Sequence, residues 1–144
     1  MEHEATVEGV AVTQSERQVP AVILKVHEKI VPVFITSDQA QSIQLALEGE
    51  EFDRPLTHDL FLEMLTEFGG AVDRVRVDSL REGTFMAKLD LDQYRDGERQ
   101  SKTFDLRPSD AVAIAIRADA PIYIADEVLD AAGQAEETLQ FDDE

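Results

Sequence analysis

Hydrophobic and polar residues alternate from Ala5 to Val12, with a change of parity at Gly9, and this pattern predicts a strand carrying a bulge. Ala21 to Val26 and Ile30 to Ile35 are β-branched apolar runs separated by the polar turn His27-Glu28-Lys29, so they are expected to be more central strands. Ser37 is placed to cap a helix running to about Leu47. Ala40, Ile43 and Leu47 share one face of it, and Gly49 stands just beyond its end. The first half therefore reads β-β-β-α.

A second helix is predicted to start at Thr57, with Leu60, Phe61, Met64, Leu65 and Phe68 as its buried stripe and Gly69-Gly70 as its stop. Val75 and Val77 then alternate with Arg74, Arg76 and Asp78. Phe85, Ala87, Leu89 and Leu91 alternate with Met86, Lys88, Asp90 and Asp92. Both segments are expected to be half-buried strands joined near Arg81-Glu82-Gly83. After a polar loop from Tyr94 to Gln100, a short strand from Thr103 to Leu106 leads into an all-apolar helix, Ala111 to Ile116. A last strand, Ile122 to Ala125, and a short helix, Glu127 to Ala132, complete the pattern.

The halves correspond best where Phe34-Ile35-Thr36-Ser37-Asp38 aligns with Leu106-Arg107-Pro108-Ser109-Asp110, which places Ser-Asp at both strand-to-helix junctions. The expected fold is thus α+β: one domain over residues 1–133, built from two β-β-β-α-like repeats with a mixed or antiparallel sheet and packed helices. Residues 134–144 form an acidic tail that is expected to be disordered.

A chain of 144 residues with 43% hydrophobic residues is long enough to bury one ordinary core. The absence of cysteine excludes a disulfide scaffold, a thiolate metal site and a cysteine nucleophile. No signal peptide or membrane-spanning run is apparent, so a soluble cytoplasmic protein is expected. The 31 acidic residues against 13 basic ones give a formal charge of −18, which opposes non-specific approach to nucleic acid. Only four of the basic residues are lysine. An acidic, lysine-poor surface suits a halophilic chain, because molar salt shortens the Debye length to roughly 3 Å and screens self-repulsion.

Four blocks stand out: Arg54-Pro55-Leu56-Thr57-His58-Asp59, Gly83-Thr84-Phe85, Arg107-Pro108-Ser109-Asp110-Ala111 and Ala120-Pro121-Ile122-Tyr123. In order and spacing they resemble the bifunctional nuclease (BFN) domain family, over about Val7 to Gly133. The resemblance implies an α+β domain that self-associates as a homo-oligomer, and, for some members, cleavage of both RNA and DNA. The family often carries a glutamate at the start of the first-repeat helix, where this chain has Gln39.

RNA can be cut by acid and base groups acting on its own 2′-hydroxyl, whereas DNA needs an activated water, so an enzyme cutting both is expected to use a metal. His58, Asp59 and Asp110 are the candidate catalytic residues, and Asp59, Asp105 and Asp110 are candidate ligands for Mg²⁺ or Mn²⁺. Arg54 and Arg107, with Thr57 and Ser109, are candidates to hold a substrate phosphate at helix N-termini, where free N–H groups and the positive dipole end favour an anion. A purely structural reading stands beside this one. Thr57 and Ser109 suit N-caps, Asp59 and Asp110 suit first turns, and the arginines can pair with nearby aspartates. The alternative function is a non-catalytic oligomeric module that binds a small anionic or phosphorylated ligand or serves as an interaction protein.

Overall fold

The alternating and apolar runs become one mixed sheet in the computed structural model, which describes residues 1–14, 16–50, 52–135 and 141–143. The first half forms β1 (Glu2–Thr13), β2 (Pro20–Val26), β3 (Lys29–Phe34) and α1 (Ser37–Glu48). The second half contains α2 (Thr57–Glu67), β4 (Gly70–Arg81), β5 (Thr84–Arg95), β6 (Glu98–Leu106) and α3 (Pro108–Ala118). The chain continues through β7 (Ile122–Ala125), α4 (Asp126–Ala132), β8 (Gln134–Ala135) and β9 (Phe141–Asp143).

Strand order is β6-β5-β4-β7-β1-β2-β3-β8, with β9 also pairing to β1. The β4–β7 pairing is parallel, and the other pairings among the described residues are antiparallel. Two three-stranded meanders therefore flank β7, each leading to a helix, α1 or α3. This is the α+β arrangement of two β-β-β-α-like repeats. Of the expected acidic tail, residues 136–140 and 144 lie outside the described residues.

Burial explains the sequence patterns. Val22, Leu24 and Val26 of β2 enter the main core with Ile43, Val75, Val77, Val112 and Ile124, while Ala21 and Ile23 enter a second cluster with Ala11 and Ile30. A strand buried on both faces needs a continuous apolar run. Each fully buried Val, Leu or Ile contributes roughly 1.5–3 kcal/mol relative to exposure. The bulge between Val7 and Gly9 shifts the β1 register as the parity change predicted. No helix is long and apolar enough to cross a membrane among the described residues.

Several boundaries and faces differ from the sequence reading. The predicted loop at Tyr94–Gln100 is a tight hairpin, because Asp96 and Gly97 take positive φ of 53° and 78°, as a two-residue turn requires. Thr36, not Ser37, caps α1: its side chain accepts from Gln39 N, while the Gln39 side chain accepts from Thr36 N. The expected stripe on α2 is divided. Phe61 and Leu65, with Leu62, pack against the core, but Leu60, Met64 and Phe68 are 45%, 52% and 75% exposed. The helix is apolar on more than one side, so periodicity could not tell which face the sheet would cover.

Gly69 ends α2 with φ +79°, and a Cβ there would lie 2.8 Å from the Tyr94 carbonyl oxygen. The same carbonyl belongs to a residue whose N–H donates to Gly69 O at 2.8 Å. Gly69→Ala is therefore expected to cost about 2–3 kcal/mol, left-handed strain plus a backbone clash. A lowered urea midpoint checks this, and an unchanged midpoint contradicts it.

Candidate functional site

The β6–α3 junction is set by Arg107-Pro108. Arg107 occupies the extended N-cap position, with φ −71° and ψ 146°, and Pro108 enters the first turn, where its missing N–H removes no helical bond. One turn on, the Asp110 carboxylate accepts two bonds from Arg107, from Nε at 2.9 Å and from Nη2 at 3.3 Å. The same carboxylate accepts from His58 Nε2 of α2 at 2.9 Å. His58 Nδ1 in turn lies 3.1 Å from Ser42 Oγ of α1. Three helices thus meet through one chain, Ser42–His58–Asp110–Arg107.

This chain fixes the protonation pattern of the ring. An ionised carboxylate only accepts, so Nε2 carries the hydrogen facing Asp110, and Nδ1 is the atom free to gain or lose a proton. When His58 is neutral, Ser42 donates to Nδ1; when it is charged, Nδ1 donates to Ser42. Burial pushes the Asp110 carboxyl up, but hydrogen bonds from Arg107 and then His58 outweigh this and hold it below its ordinary value of 3.8. The Arg107 guanidinium is raised, chiefly by its hydrogen bond to Asp110. Asp110 is therefore ionised while it orients His58.

The two repeat junctions also flank an open cavity of about 270 Å³. Val33, Phe34, Ile35 and Gln39 come from the β3–α1 junction, Arg107, Pro108 and Ser109 from the β6–α3 junction, and Gly83, Thr84 and Phe85 from the β4–β5 turn. Ser109 is buried at 4% exposure, and its hydroxyl has no hydrogen-bond partner. Arg107 remains 67% exposed. Gln39 keeps the capping role through its side-chain oxygen, so the family's frequent glutamate is replaced here with its hydrogen-bond acceptor retained and its charge removed.

Other candidate residues lie elsewhere. Arg54 and Thr57 are exposed and do not line this cavity. Neither Thr57 nor Ser109 is an N-cap: Leu56 and Arg107 hold those positions, without side-chain cap bonds. Asp59 is turned away from His58, as adjacent helical residues about 100° apart must be. Its carboxylate accepts from Leu56 N at 3.2 Å and from Arg117 Nε at 3.1 Å. Asp105 is exposed and pairs with Lys88 at 3.1 Å. Asp59, Asp105 and Asp110 therefore serve three different cations, and no group of three metal-binding side chains occurs among the described residues. The expected donor set does not fit a resident Mg²⁺ or Mn²⁺.

Two residues of this region escape sequence reading. Ser42 sits mid-helix with nothing in its surroundings to mark it. Arg117 had one signal, a cation directly after an apolar helix stretch; it is part-buried, with Nη2 donating to Ser42 O at 3.2 Å and Nη1 to Ala113 O at 3.1 Å. It locks α1, α2 and α3 in the arrangement that brings His58 to Asp110.

Taken together, fold and site define a single α+β domain with a histidine hydrogen-bonded to the aspartate in the first turn of α3. The bifunctional nuclease domain model matches residues 22–137, and the chain belongs to that family. An uncharacterised protein of Mycobacterium tuberculosis is 39% identical over 132 residues, covering 90% of this chain and 76% of that protein. Bifunctional nuclease 2 of Oryza sativa subsp. japonica is 31% identical over 108 residues, covering 73% of this chain and 33% of its own length. Bifunctional nuclease 1 of Arabidopsis thaliana is 29% identical over the same length, with the same two coverages. The chain thus spans about a third of these plant relatives.

Proposed function

We propose that the protein is a nuclease acting on phosphodiester bonds of RNA, with the phosphate held at the N-terminus of α3 by Arg107 and Ser109 and the proton moved by His58. The observation that carries this reading is the meeting of His58 and Arg107 on the single carboxylate of Asp110, with Arg107 also lining the cavity. Arg107 uses two of its five N–H groups on Asp110, which leaves three for an anion. Ser109, whose buried hydroxyl has no protein partner among the described residues, lines the same cavity as Arg107.

The chemistry then follows from the ring. The 2′-hydroxyl oxygen of RNA bonds to phosphorus, and its proton passes to His58 Nδ1, through Ser42 or in place of it. The bond from phosphorus to the 5′-oxygen breaks, and that oxygen takes a proton from water. The products are a 2′,3′-cyclic phosphate and a 5′-hydroxyl. Asp110 holds the ring in the required tautomer and stabilises it once charged. Because the donor set does not fit a divalent ion, no step here depends on one. DNA lacks the 2′-hydroxyl, so RNA is the favoured substrate.

Purified full-length protein incubated with RNA and with DNA in high KCl, with EDTA, Mg²⁺ or Mn²⁺, tests the reading. RNA cleavage that persists in EDTA is expected. Cleavage of neither polymer under any of these conditions overturns it.

A second reading is supported by the charge of −18, which suits a non-catalytic module that binds a small phosphorylated ligand. A ligand that binds only the folded state raises the melting temperature. A thermal shift with nucleotides but no turnover would favour this second reading.

The same proposal includes self-association through the outer face of α2, where Leu60, Met64 and Phe68 stand exposed on an otherwise strongly charged chain. Met64→Asp with Phe68→Asp should convert an oligomer to a monomer by light scattering after size exclusion. A wild-type monomer at micromolar concentration contradicts it.

A further inference from the structure

A serine in the middle of a helix ordinarily bonds back to a carbonyl of its own helix or turns to solvent. The half-buried Ser42, in the middle of α1, instead sets its hydroxyl 3.1 Å from His58 Nδ1 of α2. The opposite ring nitrogen, Nε2, is 2.9 Å from Asp110 Oδ1 of α3. Hydroxyl, imidazole and carboxylate in series, each pair within hydrogen-bond reach, is the arrangement that activates a serine oxygen, whatever the order in sequence. Compared with the serine proteases the two ring nitrogens exchange partners, which leaves the roles intact. The carboxylate fixes the tautomer, and the other nitrogen takes the serine proton. His3–Asp126, the other His–Asp pair among the described residues, meets the edge of the His27 ring and not a hydroxyl.

Neighbouring contacts hold the series in place. Arg117 Nη2 donates to Ser42 O at 3.2 Å, which fixes the main chain behind the hydroxyl, and Arg107 donates twice to the Asp110 carboxylate. The side chains of His58 and Asp110 are 19% and 27% exposed, so the series opens to solvent. Arg107 is exposed on that same carboxylate, with N–H groups to spare for the oxygens of a substrate.

We propose that Ser42 is a nucleophile, which forms a covalent phosphoseryl intermediate on phosphodiesters that carry no hydroxyl beside the phosphorus. The choice of phosphorus as the centre attacked rests on the nuclease reading above. Ser42 Oγ bonds to phosphorus as its proton passes to His58 Nδ1. The bond from phosphorus to the leaving oxygen breaks, and that oxygen takes the proton from Nδ1. A water oxygen then bonds to phosphorus and gives a proton to Nδ1. The bond from phosphorus to Oγ breaks, and Oγ takes that proton back. Asp110 stays ionised throughout and balances the charged ring. The products are a phosphomonoester and the released alcohol.

Full-length protein incubated with diisopropyl fluorophosphate, whose fluoride leaves when a serine oxygen attacks, tests this by mass measurement and peptide mapping. A single adduct on Ser42 is expected, absent from Ser42→Ala and formed about 10²-fold more slowly in His58→Ala. A protein that stays unlabelled, or is labelled elsewhere, overturns the nucleophile and leaves the nuclease reading to its own RNA test. Labelling of Ser42 in a protein that cuts no RNA upholds the nucleophile and overturns the nuclease reading. Ser42→Ala keeps a good helix former and the carbonyl that Arg117 binds, so its melting curve should match the wild type. It should hydrolyse bis(p-nitrophenyl) phosphate about 10²-fold more slowly than the wild type. Equal rates of the two proteins on this ester overturn the nucleophilic role.

Discussion

Asp110→Asn should lower the RNA cleavage rate by about 10²-fold or more while leaving the protein folded, because it removes the charge that orients His58 and holds Arg107. The amide keeps the shape of the side chain, but one of its two arms becomes a donor. It can no longer accept from both His58 Nε2 and the two Arg107 nitrogens that the carboxylate now serves. His58 then loses the partner that fixes its tautomer, and Nδ1 is no longer reserved as the proton acceptor. Asp105→Asn is the matched control, since Asp105 is exposed and its side chain bonds only to Lys88 among the described residues. Its rate should stay within about twofold, as expected for a surface pair. Initial rates on a labelled oligoribonucleotide check both variants, and an Asp110→Asn protein that retains most of its activity removes Asp110 from the mechanism.

The largest effect on stability is expected at Asp90. Its carboxylate is only 13% exposed, and it accepts from Arg74 Nε at 2.9 Å and from Arg76 Nε and Nη2 at 2.7 and 2.9 Å. Thr103 Oγ1 donates to it at 2.6 Å. It therefore ties β4, β5 and β6 on one face. Asp90→Ala leaves two arginines side by side with only Glu2 as a shared anion, which should cost about 2–3 kcal/mol and roughly 5–12 °C in melting temperature. Burial pushes the Asp90 carboxyl up, but hydrogen bonds from Arg76, Thr103 and Arg74 outweigh this and leave it below its ordinary value of 3.8. A lowered folded-state pKa means the stabilisation is present above that ordinary value and is lost as pH falls through the folded one. The gap between wild type and Asp90→Ala should thus narrow below about pH 4. Thermal melts across that range decide it, and a gap that widens in acid contradicts the assignment.

The sequence made the sheet legible because burial on one or both faces leaves a period of two or a continuous apolar run. β1 to β5, α1 and α3 follow from that alone. The Asp96-Gly97 turn was also legible in principle, as an Asp-Gly pair between alternating strands, but the polar residues around it read more simply as a loop. The orientation of α2 was not legible. Leu60, Phe61, Leu62, Met64, Leu65 and Phe68 cover much of its circumference, and only packing selects the buried side. The site divides similarly. Arg107 and Asp110 are three residues apart at a helix start, so their pairing is local and readable. His58 reaches Asp110 only because α2 packs on α3, and Ser42 and Arg117 join them through α1. Such contacts across 52 and 75 residues leave no trace in local spacing.

The two Arg-Pro segments resemble each other in sequence, yet Arg107 lines the cavity and pairs with Asp110 while Arg54 stands exposed away from it. The most direct measurement is therefore the RNA cleavage rate of Arg107→Ala beside that of Arg54→Ala, each confirmed folded by its melting curve. Loss of about 10²-fold or more in Arg107→Ala, with Arg54→Ala within about twofold of wild type, is what a phosphate seat at the α3 N-terminus predicts. Full activity in Arg107→Ala, or an equal loss in both variants, would contradict it.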